Sequence, residues 1–217
     1  MQRIPLFDHA DGPRRVLALG AHSDDIEIGC GGTILRLVAE RPNVEVTWVV
    51  FCAPGSRSSE ARSSASAFLT GAGESSVIVH AYRDGFLPYS GGTVKEAFEE
   101  LKKTLSPDLI FTHFREDRHQ DHRLVAELTW NTWRNHMILE YEIPKYDGDF
   151  GSPNWFAPLT AETLERKIAL VLRHFPSQAE KHWFDGDLLR SVARIRGMEC
   201  VAPDDLAEAF YCRKAVV

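Results

Sequence analysis

The chain has 217 residues, 44% of them hydrophobic and 26% charged, a composition that excludes a disordered or fibrous protein and fits one folded unit. Lys and Arg number 25 against 31 Asp and Glu, and the resulting net charge of −6 provides no global basic face for nonspecific nucleic-acid binding. The longest nearly apolar run, Val46 to Ala53, is far shorter than the roughly 20 residues of a membrane helix, which excludes a span.

Taken in chain order, the segment Met1 to Pro13 lacks the basic start and apolar centre of a secretion signal, so the chain reads as cytoplasmic. Arg15 to Gly20 reads as a strand, and Gly32 to Arg41 as a helix through the spacing of Ile34, Leu35, Val38 and Ala39. Asn43 to Ala53 repeats the strand signal, and Ser58 to Thr70 follows as a small-residue helix. Ser76 to Tyr82 is a third strand, Thr93 to Leu105 a charged amphipathic helix, Asp108 to Phe114 a fourth strand, and Leu124 to Trp133 the next helix. Beyond Ile143 the pattern loosens through Pro144, Gly148, Gly151, Pro153 and Pro158 into a long surface loop. Thr160 to His174 resumes as a helix, and Ala207 to Val216 closes the chain as a strand. Strands alternating with helices predict an α/β fold: a Rossmann-like, open, mostly parallel sheet flanked by helices, in a single domain over residues 1–217.

Two polar clusters sit at predicted C-terminal strand ends. Ala21-His22-Ser23-Asp24-Asp25 follows the first strand, and Arg115 to Arg123, with His119-Gln120-Asp121-His122 inside it, follows the fourth. In open α/β sheets ligands bind in the crevice outside those ends, so topology brings the clusters together. A catalytic zinc site uses three protein ligands and leaves one position open. His22, Asp25 and His122 supply such a set, which suits Zn²⁺ without excluding Fe²⁺. Asp24 is then placed to act as general base on a water that the metal acidifies. His119 can donate to the developing oxyanion or the leaving amine, and Asp121 can hold an imidazole in its working tautomer. The plainer alternative makes Asp24 or Asp25 a helix cap, and His119 and Asp121 the solvated start of a helix.

These segments resemble the LmbE-like family, also called the PIG-L family of N-acetylglucosaminyl de-N-acetylases. Its Ala-His-Pro-Asp-Asp and His-x-Asp-His segments read here Ala21-His22-Ser23-Asp24-Asp25 and His119-Gln120-Asp121-His122, with Ser23 in place of the usual proline. The likeness extends to Gly29-Cys30-Gly31-Gly32-Thr33, Arg83-Asp84-Gly85, Ser177-Gln178 and Ala207-Glu208-Ala209-Phe210. It implies a zinc-dependent hydrolase that removes an N-acyl, usually N-acetyl, group from an amino-sugar, with His22, Asp25 and His122 as ligands, Asp24 as base and His119 assisting the tetrahedral intermediate. It also implies that Arg62 and Asp84 contact substrate; a solvated helix face and a turn former are their plainer readings.

The partner so implied is a small amino-sugar conjugate, with neither nucleic acid nor membrane, and a homo-oligomer is left open. A thiol conjugate of an amino-sugar is an alternative substrate for the same chemistry. A nucleotide-binding module, with Gly29 to Gly32 cradling a phosphate, is the alternative from another class, opposed by the lack of GxGxxG spacing or a P-loop lysine. The reading that fits better has these glycines allowing close helix packing. Cys30, Cys52, Cys200 and Cys212 lack CxxC spacing and read as buried free thiols. His9, His80, His136, His174 and His182 stand apart from the clusters, whereas His113 ends the fourth strand beside one. Trp130 and Trp133 read as core, as does Trp155 unless it stacks on a sugar ring.

Overall fold

The structure, a computed structural model, describes residues 14–216. The expectation for Met1 to Pro13, with His9, lies outside the described residues. The apolar run after Arg15 forms β1 (Arg15–His22), buried from Val16 to its end. A strand buried on both faces belongs at the centre of a sheet, and β1 lies there. It pairs in parallel with β2 (Glu45–Cys52) on one side and β4 (Leu109–His113) on the other. Outward from β2 comes β3 (Glu74–Val79), and outward from β4 comes β5 (Met137–Tyr141), both parallel to their neighbours. The last two strands, β6 (Trp155–Pro158) and β7 (Ala207–Cys212), complete the order β3-β2-β1-β4-β5-β7-β6, with β7 antiparallel to both β5 and β6.

Helices cover both faces. On one, α1 (Asp25–Glu40), α2 (Ser56–Phe68), α5 (Ala161–His174) and α6 (Gly186–Cys200) pack over a core that includes Ile26, Phe68, Ile168 and Ala193. On the other, α3 (Gly91–Thr104) and α4 (Gln120–Thr132) bury Val94, Phe98, Val125 and Leu128. This is the expected α/β architecture with a mostly parallel sheet.

Several boundaries depart from the sequence reading. The first helix begins at Asp25 rather than Gly32, because its glycines, poor helix formers, are demanded by packing. A methyl group at Gly29 would overlap the Tyr141 ring, and at Gly31 it would stand 2.7 Å from Phe68 Cε1. These glycines are therefore buried inside α1 and cannot cradle a phosphate, which removes the basis of the nucleotide-binding reading. The sequence reading also passed over β5, β6 and α6. Strand β6 interrupts the expected loop, and its terminal Pro158 is tolerated because β6 is an edge strand. All four cysteines are free, but Cys200 and Cys212 are only half-buried. Trp155 lies in β6 and packs against the core, and Trp133 is fully buried.

Candidate active site

The strand order reverses between β1 and β4, and both predicted clusters project from the C-terminal ends of these two strands. His22 is the last residue of β1, Asp25 the first of α1, and His122 lies in the first turn of α4. The His22 N–H donates to Asp25 Oδ2 at 2.6 Å, which closes the turn and aims both side chains at the crevice. Although 100 residues apart in sequence, His22 Nδ1 and His122 Nε2 face each other at 3.1 Å. Asp25 completes the triangle, with Oδ2 at 3.3 Å from His22 Nδ1 and Oδ1 at 3.5 Å from His122 Nε2.

Hydrogen bonds on the far side of each ring decide what those facing nitrogens can do. His122 Nδ1 meets Asp117 Oδ2 at 3.0 Å. Asp117 also accepts from Lys145 Nζ at 2.8 Å and from the His119 N–H at 2.7 Å. Burial opposes its charge, but His122 and Lys145 hold this carboxyl well below the usual range. An ionised carboxylate only accepts, so Nδ1 of His122 carries the proton and Nε2 presents a lone pair. By the same logic Asp84 Oδ1 at 3.1 Å and Asp121 Oδ2 at 3.3 Å fix the proton of His22 on Nε2, and Nδ1 presents a lone pair. Two lone pairs 3.1 Å apart require a cation between them. With a proton in that place the charge settles on His22: burial opposes it, but Asp25, Asp121 and Asp84 hold this imidazole well above its usual range. Burial and the neighbouring His113 meanwhile push His122 down to about 4.

A metal ion fits the same place. Donors bound to a tetrahedral zinc at 2.0–2.1 Å stand roughly 3.3 Å apart, close to the 3.1, 3.3 and 3.5 Å of this triangle. Among the described residues, donors that could hold an ion form three overlapping groups: His22-His119-His122, His22-Asp84-His119-Asp121 and Asp25-His113-His122. Two of these rings are already engaged. His113 Nε2 accepts the Ala21 N–H at 2.9 Å, and His119 Nδ1 accepts the Asp121 N–H at 3.2 Å. His119 thereby caps α4 and keeps Nε2–H free as a donor beside His22, ring centroids 4.7 Å apart.

A protein-family profile described as GlcNAc-PI de-N-acetylase, PIG-L, matches residues 17–133, the span that carries both clusters. The chain belongs to this family. The uncharacterized deacetylase YaiS of Escherichia coli (strain K12) is 28% identical over 182 residues, covering 78% of this chain and 95% of YaiS. Among solved structures, the N,N'-diacetylchitobiose deacetylase of Pyrococcus horikoshii is 23% identical, with a TM-score of 0.71 over 92% of this chain and 84% of that one. GalB, the 4-carboxy-2-hydroxymuconate hydratase of Pseudomonas putida KT2440, is 15% identical, with a TM-score of 0.75 over 94% of this chain and 98% of that one. One fold thus hosts different reactions, and at these identities the structural likeness speaks for the fold alone. The PIG-L family and YaiS place the chain among hydrolytic deacetylases.

In this PIG-L protein Asp24 stands at the N-terminus of α1, yet its side chain makes no cap hydrogen bond. Its Oδ1 instead accepts from Arg57 Nη2 at 3.2 Å. Burial and the charge of Asp25 raise its pKa, and Arg57 works against that rise. Asp121 accepts the Gly85 N–H at 2.6 Å and the Leu87 N–H at 3.1 Å, so the imidazole it orients is that of His22, and it also holds the turn carrying Asp84. Asp84 joins the cluster with a half-exposed side chain, its pKa pulled to about 2 chiefly by the His22 hydrogen bond.

Arg62 does not join. It is exposed, and its Nη1 donates to the Val77 carbonyl at 3.1 Å on the edge strand β3. Arg57, five residues earlier on α2, instead reaches Asp24 at 3.2 Å and Asp84 at 3.9 Å. Sequence reasoning missed Arg57, Asp117 and Lys145. Asp117 lay within the second cluster and carried that much signal; Lys145 lay in the expected loop and carried none. Burial pushes the Cys52 thiol up to about 12, so it is no nucleophile at neutral pH.

Proposed function

We propose that this PIG-L protein hydrolyses the N-acyl amide, in the first place N-acetyl, of an amino-sugar or its glycoconjugate, using one divalent ion held by His22, Asp25 and His122. The observation that carries this is the pair of lone pairs on His22 Nδ1 and His122 Nε2, 3.1 Å apart, each imposed by a carboxylate behind its ring. Two imidazoles and a carboxylate suit zinc, with Fe²⁺ as the competing ion. The chemistry such an ion would supply is polarisation of the acyl carbonyl and a lowering of the pKa of water toward neutrality.

The protein's own groups do the rest. Asp24 takes a proton from the attacking water; its raised pKa lets it keep that proton long enough to pass it to the departing nitrogen. His119 donates Nε2–H to the carbonyl oxygen as negative charge develops there. Arg57 aligns Asp24, and Asp84, with its half-exposed carboxylate, is the group offered to the sugar hydroxyls. No helix among the described residues is long and apolar enough to cross a membrane. The four free thiols support action in the reducing cytoplasm.

The test is metal analysis of the purified protein together with amine release from a panel of N-acetylated amino-sugars, longer acyl groups included. About one divalent ion per chain is expected, and Asp24→Asn should retain the ion while losing about 10²–10⁴-fold in turnover. Full turnover by metal-free protein overturns the metal reading. No amine from any sugar with zinc present overturns the substrate class.

A further inference from the structure

The position of Arg57 runs against its local sequence. It lies in the first turn of α2, Ser56-Arg57-Ser58-Ser59, where the serines are middling helix formers and a cation faces the positive end of the helix dipole. Gly55, which precedes that turn at φ 61°, has no side chain with which to cap it. Burial gives no help either, because the buried residues of α2 begin at Ala61. Ordering each residue of such a turn costs about 1–2 kcal/mol of backbone entropy, so the contacts that fix the turn decide how well Arg57 is held.

One of these is the bond from Arg57 to Asp24 at 3.2 Å. Another stands where the turn ends. Glu60 directs both carboxylate oxygens at a single residue outside the helix: Oε1 accepts the Ser177 N–H at 2.9 Å, and Oε2 accepts the Ser177 hydroxyl at 2.7 Å. Ser177 is itself well anchored. It lies in the short turn Pro176–Gln178, between the fully buried Phe175 and the buried Gln178. Gln178 Nε2 donates to Ser177 Oγ at 3.0 Å, which directs the hydroxyl proton to Glu60. Glu60 is three residues beyond Arg57, on the same face of α2. The turn carrying the arginine is thus tied at one side to the head of α1 and at the other to the segment after α5. A further contact with α5, Ser63 Oγ to His174 Nδ1 at 3.0 Å, lies beyond Ala61, where burial already holds the helix.

We propose that Glu60 and Ser177 are positioning residues that hold the first turn of α2 so that Arg57 stays on Asp24, an inference that rests on Asp24 being the general base. The test is a double-mutant cycle. Glu60→Ala, which introduces the best helix former, should lower kcat by about 3- to 10-fold with KM within about twofold, short of the roughly 10²-fold that a 1 Å misplacement can cost. Ser177→Ala should act in the same direction, and Ser177→Thr, which keeps the N–H and the hydroxyl, should stay near wild type. In an Arg57→Met background, Glu60→Ala should change kcat by less than about 1.5-fold. Ser63→Ala is the control and should leave kcat near wild type. An effect of Glu60→Ala that is equal with and without Arg57, or absent from both, overturns the proposal.

Arg57 Nε, buried and without an acceptor, supplies a readout free of turnover. Its N–H resonance, identified by its loss in Arg57→Met, should be protected from exchange in wild type and in Ser63→Ala, and lost to fast exchange in Glu60→Ala. A resonance absent from wild type, or unchanged in Glu60→Ala, overturns the proposal whatever the turnover. Where no amine is released from any substrate, loss of the resonance in Glu60→Ala still supports the tie to Arg57, and the deacetylase reading alone is overturned.

Discussion

The most informative single perturbation is Asp117→Asn. The carboxylate takes the His122 Nδ1 proton at 3.0 Å, Lys145 Nζ at 2.8 Å and the His119 N–H at 2.7 Å. A carboxamide replaces one charged acceptor by an NH₂ group. If its oxygen keeps the His119 N–H, its NH₂ faces two donors, and His122 is released from the tautomer that directs Nε2 at the crevice. If the amide flips, a neutral bond roughly half as strong remains at His122. Loss of such a supporting partner costs about 10- to 100-fold in metal affinity, or about 1.4–2.7 kcal/mol. The fold should tolerate the change, because Lys145 keeps Asp149 at 2.7 Å and the Ile143 carbonyl at 3.3 Å. The assay is the zinc dissociation constant by chelator competition, followed by kcat at saturating metal. Asp108→Asn, a remote carboxylate bonded to Arg15, serves as control. Metal affinity unchanged within twofold in folded protein would refute the tautomer argument. A fall in kcat alone would shift the weight to the His119 N–H.

The two arginines of α2 separate the observed site from the expected one. Arg57→Met should cut kcat/KM by about tenfold or more, in line with the loss of a hydrogen bond to a charged group, while Arg62→Met should leave it within twofold. Arg57→Met should also change the pH profile. Asp24 works ionised, its pKa is raised by burial and by Asp25, and Arg57 restrains that rise, so the acid limb of kcat/KM should move upward and activity be lost first at low pH. Gly29→Ala, which drives a methyl group into the Tyr141 ring, should destabilise by about 1–3 kcal/mol in denaturant titration. Glu208→Ala should cost about 3–5 kcal/mol by the same measurement, because it leaves the buried Lys167 ammonium without its carboxylate partner at 2.6 Å. The double variant Lys167→Met, Glu208→Leu should recover part of that loss, and failure to do so would mean that Glu208 acts mainly through the Gly32 and Thr33 N–H groups.

Fold class was readable because hydrophobic periodicity is a local signal. The runs in β1, β2 and β4 and the spacing in α3 and α5 stand out in any short window. The misses share a different cause. Strand β5 is as long as β4, but Glu140 breaks its apolar run, and β6 is a four-residue edge strand ending in proline, so neither builds a pattern. The start of α1 was hidden because Gly29, Gly31 and Gly32 lower helix propensity. Their justification comes from Tyr141, Phe68 and Leu159, contacts that no local window contains.

The candidate site divides along the same line. His22, Asp24, Asp25, His119 and His122 were legible as candidates because polar groups at strand ends cluster in sequence, and the fold brings them together. What would make two imidazoles into a ligand pair is the set of groups behind them, and these arrive from separate elements: Asp84 after β3, Asp117 after β4, Lys145 after β5. The arginine shows the limit most clearly. Arg57 and Arg62 are both cations on α2, and composition cannot choose between them. Five residues of α-helix turn the chain by about 140° beyond a full turn, so only one of the two can face Asp24. Which one depends on the rotation of α2 about its axis. Burial of Ala61, Ala65 and Phe68 sets that rotation, turning Arg57 toward the crevice and Arg62 toward β3. The packing of apolar residues on α2 thus decides which cation reaches the proposed general base.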